Sequence, residues 1–338
     1  MAFMRNFHTI LQKSNNNICK IDCKDGITLS NYDYHFNLIS QKKLLNGTFS
    51  FLDYWFDISE NDKIYGIVND KNGLLYYFNL KNNYVIRNTL LKYAPESNFI
   101  KFVYIKNIKD CTHVIYYSID VSTPYNSILV HHYKKGSTWH TTSIDKISFN
   151  VLTNFVVTYD DTNMPTVFYY NLIDGHEEVY ASTFVEETGL WSNPIQITNS
   201  KKSKIYLSVI KDFKNLYHIV FSENNNSKYY CTYINGKINN NNFYSINSSV
   251  LGNSVACTFP NVIEFNNLIF VNWIEYHTLY KMSSKDYGKT WSKVDILNDS
   301  FNSSFVCCCY HTNIKSPDLF NYFSIYMQEN SLNILGLN

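Results

Sequence analysis

Apolar and polar positions along the chain alternate in short runs of five to nine residues, rich in Tyr, Ile, Val and Phe, and polar turns separate the runs. No stretch shows the 3.6-residue apolar period of a helix. The turns recur. Asn15-Asn16-Asn17-Ile18, Asn61-Asp62-Lys63-Ile64, Asp110-Cys111-Thr112-His113 and Asn163-Met164-Pro165-Thr166 each feed an apolar run. Asn215-Leu216-Tyr217-His218, Asn267-Leu268-Ile269-Phe270 and Asp318-Leu319-Phe320-Asn321 continue the series, with steps of 46, 49, 53, 52, 52 and 51 residues. Between successive turns each module reads as four strands. In the sixth module they are predicted at Pro260–Glu264, Leu268–Tyr276, Leu279–Ser284 and Ser292–Ile296. Repeats of this length with four strands each predict an all-β propeller.

A second series of turns lies between the third and fourth strand of the modules. Gly288, Gly236, Gly189 and Gly136 mark it, at steps of 52, 47 and 53, with weaker polar turns near Asn83 and Asp33. Its sharpest copy is Ser284-Lys285-Asp286-Tyr287-Gly288-Lys289-Thr290-Trp291. There Asp286 is placed to hydrogen-bond the backbone of its own turn, Gly288 supplies a positive φ, and Trp291 brings a large ring to bury between sheets. The pattern S-x-D-x-G-x-T-W resembles the Asp-box of sialidases and other repeat β-propellers, the bacterial neuraminidase repeat. The resemblance implies a propeller, with Ser284, Asp286, Gly288, Thr290 and Trp291 as structural turn residues outside any active site.

The expected architecture is one domain, 1–338, of seven four-stranded blades at about 6–45, 51–93, 98–148, 151–199, 204–250, 258–298 and 303–338. Six blades is the alternative, if the short first module completes the last blade. The seventh module ends after a third strand, Leu332–Leu337, so its fourth strand has to come from elsewhere, with Met1–Arg5 the candidate.

Family sialidases hold the substrate carboxylate with three arginines, since a rigid fork of donors matches a carboxylate and a lysine does not. This chain has two arginines, Arg5 and Arg87, so sialidase activity is excluded and no catalytic residue is carried over. A net charge of +1 offers nothing to draw the chain to nucleic acid, and no run of apolar residues is long enough for membrane insertion. The start of the chain lacks the apolar core of a signal peptide, which predicts synthesis in the cytoplasm. Eight cysteines without C-x-x-C spacing read as buried thiols, and in a strand Cys307 and Cys309 share a face while Cys308 takes the other. His131 and His132 likewise point to opposite faces, which rules out a shared metal. Trp55, beside Asp53 and Asp57, reads as ring packing.

Candidate chemistry lies at the end of the second strand of each module, where an acid recurs: Asp22, Asp70, Asp120, Asp174, Glu223, Glu275 and Glu329. Such acids either cap turns, accept hydrogen bonds from sugar hydroxyls, or hold a cation, calcium being the one cofactor considered. The densest groups are Asp174-Gly175-His176-Glu177-Glu178 and Glu275-Tyr276-His277. Asp174, His176, Glu177, Glu178, Glu275, His277, Asp70 and Asp120 are therefore the candidate ligand-binding residues, with no catalytic or metal residue assigned. The expected function is a non-catalytic binding or structural protein. It is either a lectin-like module for a neutral glycan or a scaffold partnered with proteins of a bacterial cell- or spore-surface layer. A glycoside hydrolase working on a neutral sugar through a carboxylate pair is the alternative. Oligomeric state is not readable.

Overall fold

The computed structural model describes residues 3–81, 84–109, 111–298, 300, 304–314, 321–322, 324–328 and 334–337. Strands run in sequence order through antiparallel meanders, and the chain divides into two compact units. The polar turns explain the meander. At Lys13–Asn17, Ser59–Lys63, Asp160–Met164 and Asp212–Leu216 the first residue donates its N–H to the carbonyl of the fifth, and its own carbonyl accepts from the fourth. That fourth residue is Asn16, Asp62, Asn163 or Asn215, each with φ between 60 and 68°. Asn and Asp tolerate this left-handed conformation, so the sequence reverses direction at the same geometry each time.

The second unit comprises Asn6–Ser148 and Cys308–Lys315. Its first sheet orders β1 (Phe3–Gln12), β2 (Ile18–Asp22), β3 (Ile27–Tyr32) and β4 (Leu38–Leu45), with β26 (Phe305–Thr312) on the free side of β1. The next is β5 (Tyr54–Ile58), β6 (Ile64–Asn69), β7 (Leu74–Lys81) and β8 (Tyr84–Lys92). The last is β9 (Asn98–Ile108), β10 (Cys111–Asp120), β11 (Asn126–Lys135) and β12 (Thr138–Ser148). One apolar cluster, centred on Leu11, Ile21, Phe56 and Phe78, joins the first two sheets. Another, centred on Ile67, Leu75, Ile105 and Val114, joins the second to the third.

The first unit holds Phe149–Cys307 and Ser316–Asn338 with Met1–Arg5. Its sheets are β13 (Val156–Tyr159), β14 (Pro165–Ile173), β15 (His176–Val185), β16 (Leu190–Trp191) and β17 (Ile195–Gln196), then β18 (Lys204–Lys211), β19 (Tyr217–Asn225), β20 (Lys228–Asn239) and β21 (Asn242–Leu251). The third has β22 (Thr258–Phe265), β23 (Leu268–Glu275), β24 (Thr278–Ser284) and β25 (Asp295–Ile296), with β27 (Asn321–Tyr322) beside β22, and β28 (Ile325–Gln328) pairs with β29 (Ile334–Leu335). Clusters around Phe168 and Ile219, and around Val220, Val262 and Val271, pack neighbouring sheets together.

Burial grades across each sheet. The second strands β6, β10, β14, β19 and β23 are buried on both faces over most of their length, which is why they read as near-continuous apolar runs. The fourth strands β4, β8, β12 and β21 are largely exposed; β8, β12 and β21 each carry a one-residue bulge against the third strand, and β4 carries two. A bulge twists an outer strand away from edge-to-edge pairing.

Three expectations change. Gly236 is not in a turn: it lies within β20, at the bulge, where an added Cβ would stand 2.3 Å from the Tyr244 carbonyl oxygen, and Asn240 and Asn241 make the turn with positive φ. The fourth strand of the sixth module shrinks to β25, because the Ser284–Trp291 turn continues past Trp291, with Ser292 N–H bonded back to the Ser283 carbonyl. The strand that begins at Phe3 lies beside β26, the first strand of the seventh module, and not beside β29. The turn at Asn83, Asp110, Asp318 and the first two residues of the Leu332–Leu337 run lie outside the described residues; the rest of that run holds β29.

Candidate functional site

The second-strand acids do fall where strands β2, β6, β10, β14, β19 and β23 end, opposite the Asn-rich turns, and Glu329 lies outside the described residues. What their carboxylates do differs. In the second unit, Asp70 accepts from the N–H groups of Asn72 and Leu74, and Asp120 from the N–H and hydroxyl of Ser122. The Ser122 bonds hold the Asp120 carboxyl below its usual range, so it is a turn cap kept ionised. Asp22 is half-buried at the end of β2. The buried Asp53 is met by Lys71 at 2.8 Å and Asp57 by Lys106 at 2.9 Å, and Trp55 packs on Tyr104 with centroids 5.2 Å apart. His131 stacks on His113, with ring nitrogens 3.0 Å apart, while His132 bonds Tyr116 and Thr141 on the other face.

In the first unit the cluster at β14 and β15 separates. Asp174 and Gly175, both at positive φ, form an exposed two-residue turn. Glu177 and Glu178 are adjacent in β15 and so serve opposite faces. Glu178 is buried in an ion pair with Lys204 at 2.8 Å, and accepts from the Thr198 hydroxyl and the Lys201 N–H. The Lys204 ammonium, itself fully buried, also donates to the carbonyls of Glu177 and Lys202, and Glu223 lies 3.6 Å away. This network is structural: the lysine uses all three protons. Glu177 is different. One oxygen accepts from Asn150 at 2.9 Å, and the other is buried without a hydrogen-bond partner. The same Asn150 amide donates to the Gly175 carbonyl, which fixes the turn above it. His176 also has a buried Nδ1 with no partner.

Glu275 is buried and accepts from the Val255 N–H, while Tyr276 and His277 form an exposed turn at positive φ. Among the described residues, no three His, Cys, Asp or Glu side chains stand close enough to hold a metal ion. The Ser284–Trp291 turn closes on itself. Asp286 accepts from the N–H and hydroxyl of Thr290 at 2.8 and 2.7 Å, which brings its carboxyl down to about 2, and the Gly288 N–H donates to Ser284. Beneath it a buried chain runs from Asp212 through His218 to the Tyr233 hydroxyl, at 3.0 and 2.6 Å, and Trp291 packs edge-on against Tyr233.

Residue-type reasoning missed two features at the acid-bearing sheet ends. Lys204 sits in the polar run Lys201-Lys202-Ser203-Lys204 and carries no local sign of burial. The inner strands β9, β18 and β22 each slip register around an aromatic residue: Phe102, Tyr206 and Phe259 have φ of 53, 58 and 48°.

The arrangement is that of a many-sheeted, all-β fold whose strands meander outward from buried to exposed. Known structures share it. A polysaccharide lyase described as an ulvan lyase superposes with a TM-score of 0.64 at 11% identity, over 98% of this chain and 92% of that one. The WD40 domain of SCAP from fission yeast gives 0.51 at 9% identity, over 97% and 74%. An alpha-L-arabinanase of Penicillium chrysogenum, complexed with arabinobiose, gives 0.50 at 11% identity, over 83% and 94%. At these identities the likeness is one of fold, and the fold is propeller-like. No family model and no curated relative matches the chain.

Proposed function

We propose that the chain is a β-propeller, its modules forming seven blades of the Asp-box kind, that binds a neutral glycan without transforming it. The observation that carries this reading is the Glu177 carboxylate. Its buried oxygen has no donor, and a donor is what a sugar hydroxyl supplies. The other buried acids of the two clusters are already committed, Glu178 to Lys204 and Glu275 to a backbone N–H, which favours recognition over acid–base chemistry. The ulvan lyase and the arabinanase among the fold neighbours support a glycan as ligand and leave the choice between binding and catalysis to the test. The test is a glycan array of the purified protein, with and without calcium, beside Glu177→Gln. Selective binding of neutral glycans, lost in Glu177→Gln, is expected; binding that Glu177→Gln leaves unchanged would move the site elsewhere.

A scaffold role at a cell or spore surface is the second reading. It is favoured by β21, a ten-residue outer strand with no charged residue that exposes Tyr244, Ile246 and Val250. Concentration-dependent self-association in sedimentation, abolished by Ile246→Lys, would support it. No helix among the described residues is long and apolar enough to cross a membrane.

A further inference from the structure

The three aromatic residues at positive φ within the inner strands β9, β18 and β22 are spaced by the module: 53 residues separate Tyr206 from Phe259, and 104 separate Phe102 from Tyr206. In a bulge the left-handed position ordinarily belongs to glycine, because a Cβ crowds the following carbonyl. A bulky aromatic there is a strained outlier, and one that recurs at a fixed place is maintained for a reason.

The strain is locked in by neighbours. At the β18 slip the Leu207 carbonyl accepts from the Asn154 amide at 2.8 Å, and the Ser208 hydroxyl oxygen accepts from the Val262 N–H at 3.2 Å. At the β22 slip the Phe259 carbonyl accepts from the Tyr326 hydroxyl, and the Asn261 amide donates to Ser324 at 2.7 Å. The Tyr206 and Phe259 rings are only partly buried. Trp273, Tyr233 and Phe221 are fully buried, whereas Tyr206 and Phe259 keep part of their surface in solvent. Their rings instead meet each other, with centroids 4.2 Å apart and planes 32° off parallel.

Polar groups share this end of the sheets. Lys204, two residues before Tyr206, pairs across to Glu223 and bonds the Glu177 carbonyl; Thr258, beside Phe259, pairs across to Ile274, next to Glu275. Partly exposed rings beside hydrogen-bonding acids suit a sugar, whose C–H face stacks while its hydroxyls are bonded.

We propose that Tyr206 and Phe259, held at positive φ by the β18 and β22 bulges, form a stacking platform for one ring of a neutral glycan. This rests on the glycan-binding reading above and assigns it a second contact. In the second unit Phe102 takes the same positive φ in β9 and meets the exposed Phe51 edge-on at 6.4 Å.

Glycine separates a binding role from a folding role, because it adopts the bulge conformation without strain. Tyr206→Gly and Phe259→Gly are compared with the wild type by urea unfolding. Binding is read on immobilised neutral oligosaccharides ending in galactose, glucose, arabinose or fucose. The expected result is a cooperative unfolding transition of unchanged m, with binding to the preferred oligosaccharide weakened about tenfold or more. Wild-type affinity in both variants would overturn the platform and leave the glycan reading standing. A lowered midpoint with binding retained would show that the rings serve packing. A wild-type protein that binds none of the probes would overturn both.

Discussion

Replacing Lys204 by methionine tests the central electrostatic claim about the first unit. The side chain is fully buried, and its ammonium lies 2.8 Å from Glu178, 3.1 Å from the Glu177 carbonyl and 2.7 Å from the Lys202 carbonyl. Methionine nearly preserves the volume of the stem, so the cavity contribution is small. What changes is charge. The Glu178 carboxylate, 1% exposed, keeps only the Thr198 hydroxyl and the Lys201 N–H, and two backbone carbonyls lose their donor. An uncompensated buried charge costs about 3–5 kcal/mol. The assay is urea unfolding followed by the fluorescence of Trp191, Trp273 and Trp291, with m unchanged as the control that the same surface unfolds. Adding Glu178→Gln should restore about 2 kcal/mol or more, since the neutral amide still accepts from Lys201 and no longer needs a cation. A single mutant that loses less than about 1 kcal/mol, or a double mutant weaker than either single, would refute the idea that this ion pair holds β15 against β18.

The remaining expectations concern pH and the turns. Burial draws His132 and His311 of the second unit down to about 4, so below the ordinary value near 6.5 the unfolded chain takes up protons that the folded one refuses. Stability is then complete above about pH 6.5 and falls towards pH 4, by up to about 3 kcal/mol per histidine, and urea midpoints that stay flat from pH 7 to 4 would contradict it. Gly288→Ala forces a Cβ to within 1.9 Å of the Tyr233 hydroxyl at φ +84°, and should destabilise by about 2–4 kcal/mol in thermal or urea unfolding. Gly136→Ala, at φ +61° with nothing within 4 Å, should lose only about 1 kcal/mol, and equal effects at the two sites would discredit the clash.

The meander was legible because its turns are written locally. Asn16, Asp62, Asn163 and Asn215 take the left-handed position themselves, so residue type, position and geometry coincide. The strand limits of the sixth module follow from the same punctuation, Leu268–Glu275 against the expected Leu268–Tyr276. The alternation of Cys307, Cys308 and Cys309 was equally readable, though all three are buried because β26 is covered on both faces. Less of the candidate site was legible. Glu177 and Glu178 look equivalent in the sequence. Only the partners Lys204 and Asn150, each 26 or 27 residues from the acid it meets, make one carboxylate structural and leave the other with a buried oxygen that has no protein donor. The aromatic bulges leave no trace, since register slips are set by the facing strand, and Phe or Tyr gives no warning of a positive φ.

The two ends of the sheets are therefore built on different terms. At one end the Asn-rich turns repeat a single relaxed geometry, each backbone bond closed at 2.8–3.1 Å. At the other, the inner strands carry Tyr206 and Phe259 in a conformation they resist, and one Glu177 oxygen is buried with no protein donor. Local choices that disagree with stability persist where something other than stability selects them. Closed turns occur at this end too, as at Asp70, whose N–H bonds the Leu74 carbonyl at 3.0 Å, so the strain lies in the strands and not in their connections. That contrast is what the glycan-binding proposal rests on, and Glu177→Gln, Tyr206→Gly and Phe259→Gly test it at the end where these three residues lie.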